Sequence, residues 1–520
     1  MADPIQPIER FHATEPLRGS EHVAESPLYE GRFGRMFRNL SEPTARVSDS
    51  RLLQLAATMI EAEATKDDEA GDGIIPAGFT YLGQFVDHDT TFDPNSQLQR
   101  DNDPNALQNF RTPRFDLDSV YGAGAQDPGS ARFYRADGLH LKVGKTDAAG
   151  DPAMGGFDLP RGEGATSNAK RKAVIPDHRN DENLAVAQTH LAFIRFHNRI
   201  VDSLPASPTR FAQARELAVK HYQWMLRHDY LPRICAAGVL DDVFAAGRKV
   251  FEVGANPVDV PTMPVEFSVA AFRLGHAMIR RAYNWNARFP GSEGKLGLLF
   301  EFSGTSGGLG GGVRLPSNWI ADFRRLYDFK RETGRADLAA PGGLNKAMRI
   351  DTTLVNPLEN LPTGSFGGPD VPPDDPRASL AFRNLTRARM VKLATGQQMA
   401  RFMRNRGVGV TTLTRAQLRD GRSGAALDAL TQTQRQALLK DTPLWFYVLR
   451  EAEIGGGKLR GVGARIVAET FHRAMEGSAA SIVRDPSWRP TLGPDSSTFR
   501  MVDLLLFAFE GKKSLLAPLN

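Results

Sequence analysis

Cysteine is nearly missing: one, Cys235, stands in 520 residues. No disulfide can form within the chain, and a metal centre built from thiolates is excluded. A metal must then be held by imidazole, carboxylate or backbone oxygen, or arrive inside a cofactor. Long hydrophobic runs are missing too. The most apolar stretch near an end, 502–509, contains Asp503 and falls far short of the ~20 residues of a membrane-spanning helix. The opening residues, through Glu9 and Arg10, lack the charged-then-apolar pattern of a leader. The expected location is therefore the cytoplasm, or a compartment reached by a non-classical export route. Charge of one sign is scarce: 65 Lys and Arg face 60 Asp and Glu, a net +5, which is too little to imply nucleic acid as a partner. No period of about 20–50 residues recurs, so a solenoid is excluded. The glycine-rich piece 303–312 lacks the Lys-Ser or Lys-Thr of a phosphate loop and reads as a plain loop.

The chain does carry helical spacing and many turn residues, with 49 Gly and 33 Pro. Pro4, Pro7, Pro16, Pro27 and Pro43 mark 1–48 as an extended arm. Apolar positions three and four apart predict helices over 51–64, 77–89, 182–203, 207–229, 266–283, 380–402 and much of 443–475, and a shorter one over 318–327. A strand-like piece covers 139–143. The expected architecture is mainly α, a single large helical domain over 49–480 with long loops and little β, with a tail, 481–520, packed on it.

Five groups of residues could carry chemistry. In Tyr81-Leu-Gly-Gln-Phe-Val-Asp-His-Asp-Thr, the residues Gln84, Asp87 and His88 share one helix face. Read alone, His88 serves as acid–base catalyst, metal ligand or core residue. Around 177–183, Asp177 or Asn180 can cap the following helix, and Asp181 and Glu182 favour its positive end. Arg179 is unfavourable there without an anionic partner. Val269, Phe272, His276 and Ile279 form one stripe, with Gly275 allowing close approach to the backbone. From Arg383 to Arg406 there are seven basic residues and no acidic one, either a solvated face or an anchor for buried carboxylates. Asp116 and Asp118 alternate as hard-cation ligands do, and as turn residues also do. His190 and His197, seven apart, read as core histidines, because no carboxylate joins them at i+3 or i+4.

Taken in order, these pieces resemble the animal-type haem peroxidases of the peroxidase–cyclooxygenase superfamily, in a bacterial-style version. The resemblance runs from about residue 50 to 475. It is carried by Gly83-Gln-Phe-Val-Asp-His-Asp, Asp116-Leu-Asp-Ser-Val-Tyr-Gly, Arg179-x-x-Glu182, His197-Asn-Arg and Arg273-Leu-Gly-His276. It implies a haem b cofactor, a bound calcium, and reduction of hydrogen peroxide with oxidation of small donors, halides among the candidates. By the resemblance, His88 is the distal histidine, Arg179 the distal arginine, and Gln84 lines the same pocket. His276 is the proximal iron ligand and Asn384 its hydrogen-bond partner. Arg273 and Arg387 meet the haem propionates. Asp87 and Glu182 match carboxylates that esterify haem methyl groups in this family. Asp89, Thr112, Arg114, Asp116 and Asp118 match the calcium site, Arg114 through its backbone carbonyl.

The chemistry suits those positions. Peroxide must lose a proton from one oxygen and gain one on the other before water leaves, and a neutral His88 can do both in turn. Arg179 stabilises the negative charge that develops. Two departures from the family matter. Asn183 follows Glu182, so the methionine–haem bond of one mammalian branch is absent. Arg273 stands where fatty-acid dioxygenases and cyclooxygenases carry a radical tyrosine, which argues against lipid oxygenation. A third function, a calcium-stabilised adhesion protein without activity, has no use for the full set His88, Arg179 and His276.

Overall fold

The computed structural model describes residues 31–37, 48–61, 72–93, 103–361, 372 and 375–519. The helices that frame the site are α1 (Asp49–Thr58), α2 (Gly78–Thr90), α3 (Leu184–Ser203), α4 (Arg210–Met225), α5 (Leu380–Met390), α6 (Gly396–Arg404), α7 (Leu444–Ile454), α8 (Gly461–Gly477) and α9 (Met501–Ala508). Strand structure among the described residues amounts to four two-stranded clips. The mainly α reading therefore holds.

The segment 266–278 lies at the centre. α2 and α7 pack on its second half, α5 on its first, and α3 backs α2 from the other side. α2 is almost wholly buried, with Phe79, Leu82, Phe85 and Val86 shut off from solvent. Its entry is tight. A Cβ added at Gly78 would fall 2.3 Å from the ring of Tyr327, whose hydroxyl donates to the Gly78 carbonyl at 2.9 Å. Gly78→Ala is therefore expected to destabilise the fold by about 1–3 kcal/mol through overpacking. An unchanged urea midpoint would contradict that.

Several predicted helices are broken, each where side chains take carbonyls or a cap restarts the ladder. The 266–283 helix is instead a π turn (Glu266–Ala270) followed by a 3-10 stretch (Ala271–Met278), and Ala282–Tyr283 is a strand. Arg273 Nε takes the Ser268 carbonyl at 2.8 Å, and Trp445 Nε1 takes the Arg273 carbonyl at 3.3 Å. The 380–402 helix divides into α5 and α6 at Lys392, whose φ of 48° is left-handed. Thr395 and Gln398 form a capping box that starts α6. The 318–327 helix is two short 3-10 turns, Ser317–Trp319 and Phe323–Arg325. Asn286 Nδ2 holds the Asn318 and Ile320 carbonyls between them, at 2.8 Å each. Residues 139–143 form no strand, only one bridge from Leu141 to Tyr134. The first helix ends at Thr58; the rest of its expected span from 62 onward lies outside the described residues.

The ends are docked through buried acceptors. His221 Nε2 accepts from the Thr491 and Leu492 amides at 3.0 and 3.1 Å, and Asp229 accepts from the Met501 amide at 2.9 Å. These contacts dock the tail on α4, and α9 lies along α3. Of the expected arm 1–48, residues 31–37 and Ser48 are described. Arg32–Gly34 pairs in parallel with Thr262–Pro264, and the Glu266 carboxylate accepts from the Met36 and Phe37 amides at 3.0 and 3.2 Å. The arm thus meets the start of the central segment.

Candidate active site

The face of α2 that carries Gln84, Asp87 and His88 forms one wall of a slot. Phe272, Arg273, Gly275 and His276 from the central segment line the opposite wall. About 50 Å³ of the slot is wide enough to admit water.

On the α2 side, His88 is buried, and burial with the nearby Arg179 pushes its pKa down to about 3, against the pull of Asp177 and Asn180. Its Nδ1 lies 2.9 Å from Asn180 Oδ1. Arg179 finds the anionic partner its position demands in Asp177, two residues earlier. The Asp177 carboxylate accepts from the Arg179 amide at 3.0 Å, from its Nε at 2.9 Å and from its NH2 at 2.7 Å. It also accepts from Arg111 Nε at 2.8 Å, with Arg111 NH2 at 2.7 Å. Burial opposes this carboxylate, yet Arg111 and Arg179 hold its pKa well below the usual range. Arg179 NH2 also donates to the His88 carbonyl at 3.0 Å, and the guanidinium lies over the Phe92 ring. That leaves Arg179 NH1 buried without a partner.

Other polar atoms here are also orphaned. Gln84 Oε1 accepts from Asn183 Nδ2 at 2.9 Å, but Gln84 Nε2 has no partner. Both carboxylate oxygens of Glu182 are buried and unpartnered, and burial raises its pKa well above the usual value, with Arg179 opposing. Burial also raises Asp87, opposed by Arg273 and Arg179. Buried polar atoms are almost always satisfied, so a cluster of exceptions at one place points to a missing group.

On the opposite wall, Asn384 Nδ2 lies 2.8 Å from His276 Nδ1. Arg387, one turn along α5, and Arg273 add to burial in holding the His276 pKa well below its usual value. The Trp445 ring stands edge-on to His276, with centroids 6.4 Å apart. Arg273 NH1 reaches across to within 4.0 Å of Asp87 Oδ2, so this contact spans the slot itself.

The acidic loop adjoins α2. Leu117 takes a left-handed conformation, φ 59°, and Asp116 and Asp118 both fold back on Thr112. Thr112 Oγ1 donates to Asp116 Oδ1 at 2.9 Å and to Asp118 Oδ2 at 3.2 Å. Asp89 Oδ1 accepts from the Ser119 amide and hydroxyl at 3.2 and 2.7 Å. Asp89 Oδ2 and Asp118 Oδ1 are buried without partners. The Arg114 side chain lies near Asp116 and opposes the rise in its pKa that burial causes. Among the described residues no group of three or more His, Cys, Asp or Glu closes around a common point.

The structure therefore gathers Gln84, Asp87, His88, Arg179, Glu182, Arg273, His276, Asn384 and Arg387 at one site. Asp89, Thr112, Arg114, Asp116 and Asp118 lie at its flank. Several residues at the site were expected elsewhere or in lesser roles. Asp177 caps a 3-10 turn (His178–Asp181), while α3 is capped by Asn183, whose Oδ1 accepts from the Val186 amide at 3.0 Å. The glycine-rich loop clamps this turn: Thr305 Oγ1 donates to the His178 carbonyl at 2.9 Å, its amide to the Asp181 carbonyl at 3.0 Å, and Ser303 Oγ to the Glu182 carbonyl at 3.0 Å. His197 is a satisfied core histidine, held by the Tyr121 hydroxyl at 3.0 Å and the Leu139 carbonyl at 2.9 Å. His190 instead joins Asn180 at 2.9 Å.

Two histidines, one backed by an amide and the other beside a clamped guanidinium, thus line one slot in a mainly helical protein. The animal haem peroxidase family matches residues 96–295, a stretch that includes Arg179, Glu182 and His276 but not His88 or Asn384. The chain is similar to this family over that stretch, which is less than half of its length. It is 30% identical over 197 residues to thyroid peroxidase of Mus musculus, covering 34% of this chain and 20% of that protein. The chain thus matches about a fifth of the length of such curated relatives. Among solved structures, peroxidase A of Dictyostelium discoideum aligns with a TM-score of 0.57 at 15% identity, over 98% of this chain and 94% of that one. The fatty acid alpha-dioxygenase of Oryza sativa aligns with a TM-score of 0.52 at 12% identity, over 98% and 85%. Both share the fold.

Proposed function

We propose that the protein is a haem peroxidase that reduces hydrogen peroxide and oxidises small electron donors, with halides among the candidates. The observation that carries this reading is the set of orphaned atoms on one wall of the slot, Arg179 NH1, Gln84 Nε2 and both Glu182 oxygens, opposite a histidine backed by Asn384. When bound, haem supplies the redox centre for peroxide reduction and donor oxidation. His276 is the residue to hold its iron, through Nε2. That requires the proton on Nδ1 and the Asn384 amide turned to present its oxygen there. Arg273 and Arg387 are the partners for the propionates. Asp87 and Glu182 are the carboxyls that would form ester links to ring methyls.

His88 works on the peroxide. Its Nε2 takes the proton from one oxygen and delivers it to the other, which leaves as water. This requires a neutral ring, which the low pKa provides. Arg179 NH1 donates to the departing oxygen, and Asp177 and Arg111 keep that guanidinium from swinging away. Gln84 Nε2 is a further donor toward the same space. The rice dioxygenase shares the fold, but Arg273 stands in place of the radical tyrosine of lipid oxygenation. A Soret band in the purified protein, together with peroxide-dependent oxidation of a dye, supports the proposal. Oxygen uptake with a polyunsaturated fatty acid and no peroxide would replace it with the dioxygenase reading.

The acidic loop is read as a calcium site. Its support is the pair of buried carboxylate oxygens without partners, Asp89 Oδ2 and Asp118 Oδ1, beside the oxygens of Thr112 and Asp116, a hard-oxygen donor set. Arg114 joins through its carbonyl. A cation there would tie α2, next to His88, to the 112–118 loop. Chelation with EGTA is expected to lower the melting temperature by several degrees, with recovery on adding Ca²⁺. A melting temperature indifferent to chelator would remove the calcium from the account.

A further inference from the structure

We infer that Asn180 and His190 are positioning residues that fix which nitrogen of His88 carries the proton. The inference rests on the haem peroxidase reading above.

Three buried side chains stand in a row: His88 on α2, Asn180 on the turn before α3, and His190 on α3. Asn180 Oδ1 lies 2.9 Å from His88 Nδ1, and Asn180 Nδ2 lies 2.9 Å from His190 Nδ1. An amide has one accepting end and one donating end. With its oxygen on His88, the His88 proton sits on Nδ1 and Nε2 keeps a bare lone pair. With its nitrogen on His190, the Nδ1 of His190 accepts and the proton of that ring sits on Nε2. His190 Nε2 itself has no polar partner, and the ring stands at 73° to Phe85 with centroids 5.8 Å apart.

The row therefore has two states. Turning the amide over would move the proton on both rings together. His88 would then present an N–H on Nε2 and could not take a proton from peroxide. The orientation found is the competent one, and His190 holds it by accepting from the amide. The charged groups around the row are Asp177, Arg179 and Glu182 from the turn, Asp87 from α2, Arg111 from the loop before the acidic cluster, and Arg273 from the opposite wall. Of these, Asp177 accepts from the Asn180 backbone amide through its carbonyl at 3.1 Å, while the Asn180 side chain meets the two imidazoles.

The test is ¹⁵N-histidine NMR of the full-length, haem-loaded protein in its diamagnetic ferrous carbonyl form. Signals are assigned with His88→Gln and His190→Gln. The expected result is a protonated Nδ1 and bare Nε2 on His88, and the reverse on His190. Asn180→Leu should mix the two forms of His88 and slow the reaction with peroxide by about ten- to a hundredfold, a part of the general acid–base contribution. Asn180→Asp keeps the acceptor for His88 and should restore the His88 pattern, while His190 gains a proton on Nδ1. A wild-type His88 with its proton on Nε2 overturns the inference. So does an Asn180→Leu variant that loses rate while the His88 signals stay unchanged, since its effect would then be merely structural. If that variant fails to fold, the wild-type spectrum decides alone. A protein that takes up no haem contradicts the functional reading instead, so the two failures are distinguishable.

Discussion

His88→Ala should slow the reaction with hydrogen peroxide by about a hundred- to ten-thousand-fold, with haem still bound. The size follows from what the imidazole does. On the proposed mechanism it takes a proton from one oxygen and returns it to the other. Burial raises the pKa of Asp87 and of Glu182, with Arg179 opposing in both cases. Arg179 is a donor only. The loss should fall on the peroxide step, leaving the dependence on the donor's concentration intact, because His88 is proposed to act on the peroxide alone. Haem retention separates chemistry from folding, since the iron ligand is placed on the other wall. A His88→Ala protein that reacts with peroxide at the wild-type rate would show that some other group moves the proton.

Asp177→Asn should cost the fold about 3–5 kcal/mol, because two buried guanidiniums lose the charge they share. Arg111 and Arg179 both bond this carboxylate with almost no solvent access. The asparagine keeps the shape, so the loss is one of charge. The pH dependence has a definite sign. Asp177 has a folded pKa below its ordinary value of 3.8. Its stabilisation is thus fully present above that value and is lost as pH falls through the depressed folded pKa. The gap between wild type and variant should be level from about pH 5 to about pH 8 and close only in strong acid. Urea unfolding of the two proteins at several pH values checks this. A difference under about 0.5 kcal/mol at neutral pH would mean the guanidiniums find other partners. The same variant should slow the peroxide reaction, since Arg179 NH1 is aimed only as well as its anchor is held.

The sequence made the site more legible than the helices around it. His88, Gln84 and Asp87 share a face because three- and four-residue spacing on a helix puts them there, and α2 forms as that spacing predicts. The unfavourable charge of Arg179 near a helix start pointed to an anionic partner, and Asp177 is that partner. What spacing could not show is which side chains take main-chain carbonyls. The central segment is not α-helical because Arg273 Nε and Trp445 Nε1 occupy carbonyls an α-helix would use, and Trp445 lies 172 residues away. The break between α5 and α6 was nearer to hand: Thr395-Gly-Gln-Gln398 is a capping-box pattern inside what periodicity alone joined. Asn183 was legible only as a departure from the family, yet it caps α3 and holds Gln84. His190 looked like core, and it is buried as core is, but its ring meets Asn180 and through it the site. The grip of Ser303 and Thr305 on the Arg179 turn comes from a loop more than 120 residues distant, a separation no local pattern reports.

The central claim is that His276 holds the iron of a haem seated between α2 and the 271–278 segment. The most direct measurement is the optical spectrum of the haem-loaded wild-type protein beside that of His276→Ala. The account predicts a Soret band in the wild type, and in the variant its loss or displacement together with loss of peroxide-dependent oxidation. A His276→Ala protein with the wild-type band and full activity would contradict it.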